Sequence, residues 1–352
     1  MSGAPASRLE VELREQPAAL ARLLDREAAA ALALGRRLAG GDVRLVVVAA
    51  RGSSDNAARY AKYLIGAHNR LPVALATPSL YGLYRRPPRL DGALVIGISQ
   101  SGVSPDVVGV LAEARAQGRP TVAVTNTPGS PLAAEADHLL AMHAGTERAV
   151  AATKSYVNSL GALVLLSAGL EGDPARFEAL RRVPAALERA LDDSSRSAGP
   201  AAARLLATAP ACAVVARGFN HATAFEVALK VTELTGTLAV PFSGADLLHG
   251  PIGAIGQGFP VVLVAPTGAS LPQLREVQAA LRERGARILA IADDPEVLAG
   301  AAERLALPAG LPEWLSPLVA VAPGQVVAME LARLRGVDLD RPGGLSKVTT
   351  TR

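Results

Sequence analysis

Leu94-Val95-Ile96-Gly97-Ile98-Ser99-Gln100-Ser101-Gly102-Val103-Ser104-Pro105-Asp106 joins an apolar run to a helix start through a string of hydroxyls. The run, β-branched at Val95, Ile96 and Ile98, reads as a buried strand. Ser104-Pro105-Asp106 then reads as a helix N-terminus: a Ser cap, a Pro at the first helical position and an acid in the first turn. A strand, a hydroxyl loop and a helix N-terminus together offer free N–H groups and a positive dipole end to an anion such as phosphate. Ser99, Ser101 and Ser104 add hydroxyl donors, Gly102 permits a tight turn, and no Lys or Arg lies in the loop. The same residues also fit an ordinary well-capped βα turn, so the loop alone leaves both readings open.

Working outward, residues 8–39 carry apolar residues at helical spacing with a break near Pro17. A strand is predicted over 43–50, a turn at Arg51-Gly52-Ser53-Ser54-Asp55-Asn56, a helix over 57–67 and a short extended piece over 73–76. Beyond the loop, the helix runs to Gln117, strands follow over 121–125 and 137–142, and Asn126 to Pro131 form a loop between them. The order βαβαβ, with crossovers of helical length, argues for a parallel sheet covered on both faces.

A constant offset of 166 residues lays the second half on the first. Val48-Ala49-Ala50-Arg51-Gly52 falls on Val214-Val215-Ala216-Arg217-Gly218, Val95 to Ile98 on Val261 to Val264, and Gly102 on Gly268. Val122-Ala123-Val124 falls on Ile288-Leu289-Ala290, and Ala136 to Leu139 on Ala302 to Leu305. The chain therefore reads as two copies of one α/β domain, joined through the polar stretch Asp192 to Ser197. Ser99-Gln100-Ser101 becomes Ala265-Pro266-Thr267 in the second copy, so one phosphate site is expected, in the first.

Several classes are set aside by composition. The net charge of +4 is spread over Arg residues scattered among acids, which does not read as a nucleic-acid surface. Cys212 is the single cysteine and the five His lie far apart, so neither a disulfide framework nor a metal site is expected. Arg51-Gly52-Ser53-Ser54 lacks the glycine spacing of a dinucleotide fingerprint, and no cofactor is expected. The polar start, and longest apolar runs that, like Leu160 to Leu166, are far too short to span a bilayer, predict no membrane span and a cytoplasmic protein.

Phe225-Glu226-Val227-Ala228-Leu229-Lys230-Val231-Thr232-Glu233-Leu234 reads as a helix that is apolar nearly all round. Glu226, Lys230 and Glu233, at i, i+4 and i+7, make its one charged stripe. That stripe must face a partner or a wet cavity, because unpaired charge inside protein is costly. An exposed Glu–Lys seam fits equally well. Proton transfer between two carbons of a sugar needs a carboxylate of this kind with a neighbour tuning it.

With Arg51 to Ser54, Ser99 to Gly102, Gly145-Thr146-Glu147, Thr153-Lys154, Glu226 to Glu233, Leu248-His249-Gly250-Pro251 and Leu345-Ser346-Lys347-Val348-Thr349 in order, the chain resembles the sugar isomerase (SIS) family. Within it, the chain is most similar to the isomerase portion of glucosamine-6-phosphate synthase and to the SIS-type glucosamine-6-phosphate deaminases. The resemblance implies two tandem SIS domains, over 41–195 and 196–336, with an N-terminal helical segment over 1–40 and an active-site tail over 337–352. It implies that Ser53, Ser54, Ser99, Gln100, Ser101 and Ser104 hold the sugar phosphate and nearby hydroxyls, with Glu226 in support. Glu233 would move the proton beside Lys230, and His249 would open the sugar ring from the neighbouring subunit of a homodimer. Lys347 would contact the open-chain sugar, and Glu147 would lie beside it. The given sequence starts at the isomerase portion and has no glutaminase segment, so no channelled ammonia is expected. Gly244-Ala245-Asp246-Leu247-Leu248-His249 has Asp where the synthase has Glu and lacks its Lys. With the tail, this points to deamination of an amino-sugar phosphate, glucosamine 6-phosphate first. A phosphosugar isomerase, deglycase or dehydratase, and a non-catalytic phosphosugar regulator, remain as alternatives.

Overall fold

The computed structural model describes residues 6–343, 345 and 347. The chain divides into two compact units. One holds residues 18–147, 154–181 and Lys347; the other holds 6–17, 148–153, 182–343 and Leu345.

In the first unit, strands β1 (Leu45–Ala49), β2 (Val73–Leu75), β3 (Ala93–Ser99), β4 (Thr121–Thr125) and β5 (His138–Ala141) pair in parallel in the order β2-β1-β3-β4-β5. β3 is buried at all positions, as a central strand covered on both faces must be. Its Gly97 has no room for a Cβ, which would meet the Leu111 side chain at 2.6 Å, so the missing side chain lets helix Pro105–Ala116 lie close on the sheet. Val95, Val107, Val110, Leu111 and Leu132 build the core at that contact.

The second unit repeats the arrangement with β6 (Ala211–Ala216), β7 (Leu238–Ser243), β8 (Pro260–Val264), β9 (Arg287–Ala292) and β10 (Glu303–Ala306), all parallel, in the order β10-β9-β8-β6-β7. Read from the other end, this is the order of the first sheet. The helices recur with it: Pro78–Gly82 returns as Gly244–Leu248, and Pro105–Ala116 as Leu271–Glu283. The two tandem α/β domains expected from the offset are present.

Two local expectations are corrected. The turn after β1 is shorter than predicted, because Gly52 at φ 55° ends the extended backbone at once and the helix starts at Ser53. The polar stretch from Asp192 is no open linker: Val183–Asp193, a π-helical turn Ser194–Ala198 and Gly199–Leu206 run on as helix. These helices are counted with the second unit, and helix Gln16–Ala39 from Ala18 onward with the first. There Gly161 leaves room for Leu20 and Leu23. Finally, helix Pro317–Leu334 is long and apolar enough to cross a membrane by length and composition, but 83% of it is buried as a core helix of the second unit.

Candidate functional site

β1 leads to β2 on one side of it, while β3 lies on its other side. The crevice beyond the C-terminal ends of β1 and β3 is therefore the topological switch point where ligands of open α/β sheets bind. Both predicted anion elements end there. Ser53 and Ser54 are the first residues of helix Ser53–His68, and the loop Ser99–Ser104 leads from β3 into helix Pro105–Ala116.

The loop folds tightly. Gly102 N–H donates to Ser99 Oγ at 3.1 Å, and the hydroxyls of Ser99 and Ser104 face each other at 3.4 Å. Ser104 stands at the N-cap with Pro105 after it, as the sequence predicts, but its hydroxyl does not cap the helix. Gly102 is required here, because its φ is 68° and a Cβ would strike the Ser130 hydroxyl. A cation does approach the loop from outside it: Arg51 Nε donates to Asp106 Oδ2 at 2.5 Å. Asp106 also accepts from Val107 N–H at 2.9 Å, so the helix's own acid sits at its positive end.

Beyond the loop lies a cavity of about 490 Å³. Gln100 and Glu147, both singled out from the sequence, line it together with Arg22, Asn126, His143 and Thr146. Arg22 Nε donates to the His143 carbonyl at 3.3 Å, and His143 pairs with Glu27 at 2.7 Å. Arg22 and His143 escape sequence reading: Arg22 sits on a helix distant in the chain, and nothing local marks His143. The loop Asn126 to Pro131 following β4 is the signal that was available.

Glu147 is buried, accepting from Ser155 N–H at 3.1 Å and Ser155 Oγ at 2.6 Å. Lys347 Nζ donates to the same carboxylate at 2.9 Å. Two residues 200 apart in sequence, both assigned to the site by resemblance, are thus joined by an ion pair. Ser346, Val348 and Thr349 of the tail motif lie outside the described residues.

In the second unit, helix His221–Thr235 carries the charged stripe. Lys230 Nζ lies 3.5 Å from Glu226 Oε1 and donates to Glu233 Oε2 at 2.5 Å. Glu226 and Lys230 are fully buried, so the exposed-seam alternative fails; Glu233 keeps 29% of its side chain exposed. The buried end anchors the cation, and the wet end presents a carboxylate to whatever comes from solvent. His249 follows helix Gly244–Leu248 directly, is exposed, and makes no side-chain hydrogen bond among the described residues. Glu226, Lys230, Glu233 and His249 belong to this unit; the serines, Gln100, Glu147 and Lys347 belong to the first.

Among the described residues no group of three or more His, Cys, Asp or Glu is gathered as a metal site requires. Burial pushes the Cys212 thiol up to about 12, which leaves it a packing residue rather than a nucleophile.

A family model of the SIS domain matches residues 42–168 and again 205–333. The isomerizing glutamine–fructose-6-phosphate aminotransferase of Streptomyces coelicolor is 36% identical over 96% of this chain and 58% of its own length. The chain thus spans little more than half of that relative. Among solved structures, a Silicibacter pomeroyi DSS-3 protein described provisionally as a phosphosugar isomerase is 33% identical, with a TM-score of 0.85 over 95% of this chain and 100% of that one. The C-terminal domain of glucosamine-fructose-6-phosphate aminotransferase from Francisella tularensis is 25% identical, with a TM-score of 0.86 over 96% and 99% of the two chains. Glucosamine-6-phosphate deaminase from Thermotoga maritima, at 19% identity and a TM-score of 0.79, shares the fold. With each half matched by the same family model around the same sheet, the chain belongs to the SIS domain family and carries two copies of that domain.

Proposed function

We propose that this chain is an enzyme that moves a proton between C2 and C1 of a phosphorylated sugar, and that its net reaction is the deamination of an amino-sugar phosphate, glucosamine 6-phosphate first. One observation carries the reading: Lys230 is held between buried Glu226 and partly exposed Glu233. A carboxylate paired with a buried cation yet open to solvent is what a base serving two adjacent carbons needs. The names of the relatives, aminotransferase and isomerase acting on 6-phosphosugars, agree with that chemistry.

In this reading the loop Ser99–Ser104, with Ser53 and Ser54, holds the phosphate at the switch point. His249 opens the pyranose ring. Glu233 then takes the C2 proton of the open-chain aldose, leaving an enolamine, and returns it to C1. The product imine at C2 adds water and loses ammonia, giving the ketose phosphate. Lys347, paired with Glu147 in the structure, would exchange that partner for the open-chain sugar. Breakdown is preferred to synthesis because Asp246 and Leu248 replace the Glu and Lys of the synthase pattern.

A homodimer in which His249 serves the partner's site is part of the proposal. Leu238 and Val240 on edge strand β7, and Leu248 beside His249, are exposed apolar residues of the kind an interface covers. The deciding experiment measures ammonia release and solvent exchange of the C2 hydrogen across a panel of 6-phosphosugars with free, acetylated and glycated amines. Ammonia from glucosamine 6-phosphate supports deamination; exchange without ammonia, on a neutral sugar phosphate, makes it an isomerase. Ammonia or amine release from a glycated substrate alone makes it a deglycase. Binding with neither reaction makes it a regulator. Mixing His249→Ala with Glu233→Gln chains restores activity if the site is shared between subunits, and leaves it absent if each subunit works alone.

A further inference from the structure

The hydroxyl loop Ser99–Ser104 contains no cation, whereas a phosphate monoester carries about −1.5 to −2 charges at pH 7. Neutral donors alone leave that charge unmatched. One guanidinium stands at the crevice. Arg51 follows β1 by two residues and precedes Ser53 and Ser54. Its Nε donates to Asp106 Oδ2 at 2.5 Å, in the first turn of the helix that Ser104 opens. The contact therefore spans the switch point, from the end of β1 to the helix behind the hydroxyl loop.

The two partners are unequal. The Asp106 side chain is 5% exposed and that of Arg51 is 52% exposed. Asp106 also accepts from Val107 N–H at 2.9 Å through Oδ1, so its position is fixed from the helix side. Arg51 gives only its Nε among the described residues, and both Nη groups keep their donors. Asp55, the acid nearest to Arg51 in sequence, is taken by Arg59 at 3.1 Å. An ion pair with so exposed a cation adds little stability. A guanidinium held by a carboxylate at Nε, with its Nη groups free, is set to bind phosphate oxygens.

The second copy lacks this arrangement. Arg217 stands in the place of Arg51, but Pro272 stands in the place of Asp106, and Ala265-Pro266 in the place of Ser99-Gln100. The acid that fixes the arginine occurs only in the copy that has the hydroxyl loop.

We propose that Arg51 is the cation of the phosphate site, its Nη groups binding phosphate oxygens beside the hydroxyl loop, and that Asp106 is the positioning residue that holds it there. Arg51 then selects phosphorylated sugars over unphosphorylated ones. This inference rests on the reading that the loop Ser99–Ser104 binds the sugar phosphate.

The test measures kcat and KM for the 6-phosphosugar that is turned over, and the gain in Tm from inorganic phosphate. The proteins compared are wild type, Ser101→Ala, Arg51→Gln, Arg51→Lys, Asp106→Asn and the double variant Arg51→Gln with Asp106→Asn. Arg51→Gln should raise KM about ten- to a hundredfold with kcat little changed, and should remove most of the phosphate-dependent gain in Tm. Arg51→Lys, which keeps the charge but loses the fork, should recover part of both. Asp106→Asn should raise KM less, and should add nothing once Arg51 is already Gln. An equal effect of Asp106→Asn in both backgrounds would end its positioning role. If Ser101→Ala raises KM and neither Arg51 variant does, the loop binds phosphate without Arg51 and only this inference fails. If none of these variants changes KM or the phosphate-dependent Tm, the phosphate is held elsewhere and the loop reading falls as well.

Discussion

The two copies share one topology and carry different polar groups on it. At the first sheet's switch point the loop is hydroxyl-rich, turned by a glycine at positive φ, and its glutamate is held elsewhere by Ser155 and Lys347. At the second, Ala265 and Pro266 replace Ser99 and Gln100, and Glu313 accepts hydrogen bonds from Ala269 N–H and the Ser270 hydroxyl. The helix that follows the first strand of each copy diverges in the opposite sense. In the first it is Ser53–His68, with Asn56, Ala57, Tyr60 and Leu64 inward. In the second it carries the buried Glu226–Lys230–Glu233 chain. The two copies share one frame, and each carries a polar feature that the other lacks.

The largest expected effect breaks the acid–base half. Glu233→Gln keeps shape and hydrogen bonding but cannot accept a proton, so turnover and C2 hydrogen exchange should fall about 10²–10⁴-fold. Thermal stabilisation by a 6-phosphosugar should survive, since the loop belongs to the other copy. Unchanged exchange in this variant would reduce the stripe to a structural ion chain.

Next comes the cation that the stripe buries. Lys230→Met leaves Glu226 facing Met in the core, and removing one partner of a buried pair costs about 3–5 kcal/mol. Denaturant titration should show that loss; a shift within the range of surface substitutions would mean Glu226 has sufficient support without Lys230.

The loops themselves are compared by a matched pair of variants. Ser101→Ala removes a donor from the first loop, and a hydrogen bond to a charged group is worth about 1.5–3 kcal/mol, so KM should rise about ten- to a hundredfold with kcat little changed. Thr267→Ala, its counterpart in the second copy, should leave both constants alone. Equal effects from the two would erase the division of labour.

The smallest effect concerns acid stability. Helix Pro295–Ala299 is capped by Asp294, whose carboxyl is held below the ordinary carboxylate range chiefly by its hydrogen bond from Arg275. The corresponding short helix of the first copy, Pro131–Ala134, has the neutral cap Ser130. A lowered folded-state pKa means that the stabilisation is present above the ordinary Asp value, about 4, and is lost as pH falls through the lower folded value. Asp294→Asn keeps a cap but should flatten the acid limb of Tm against pH; Ser130→Asn should not change that slope.

Much of this was legible before any coordinates. The strand Thr121–Thr125 stands where its β-branched pattern put it, the offset between copies holds at strand and helix alike, and the stripe on helix His221–Thr235 follows from 3.6-residue spacing. These are local or periodic properties, carried by side-chain size and order along the chain. Where the pattern stopped, so did the reading. Composition alone made Asp192 to Ser197 a linker, yet the stretch is helical because neighbouring helices bury its apolar flanks Leu187, Leu191 and Leu205.

What spacing could not say is which way a carboxylate turns. Glu147 and Glu313 occupy one position of one repeat, yet one bonds Lys347, 200 residues away, and the other bonds its own copy's loop, 44 residues back. Arg22 reaches the candidate cavity from a helix that precedes the first strand, and Arg51 meets Asp106 across 55 residues. Periodicity along a chain decides which faces are apolar and hence how elements form and stack. Hydrogen bonds between elements depend on where folding brings distant side chains, and that is a property of the packed molecule.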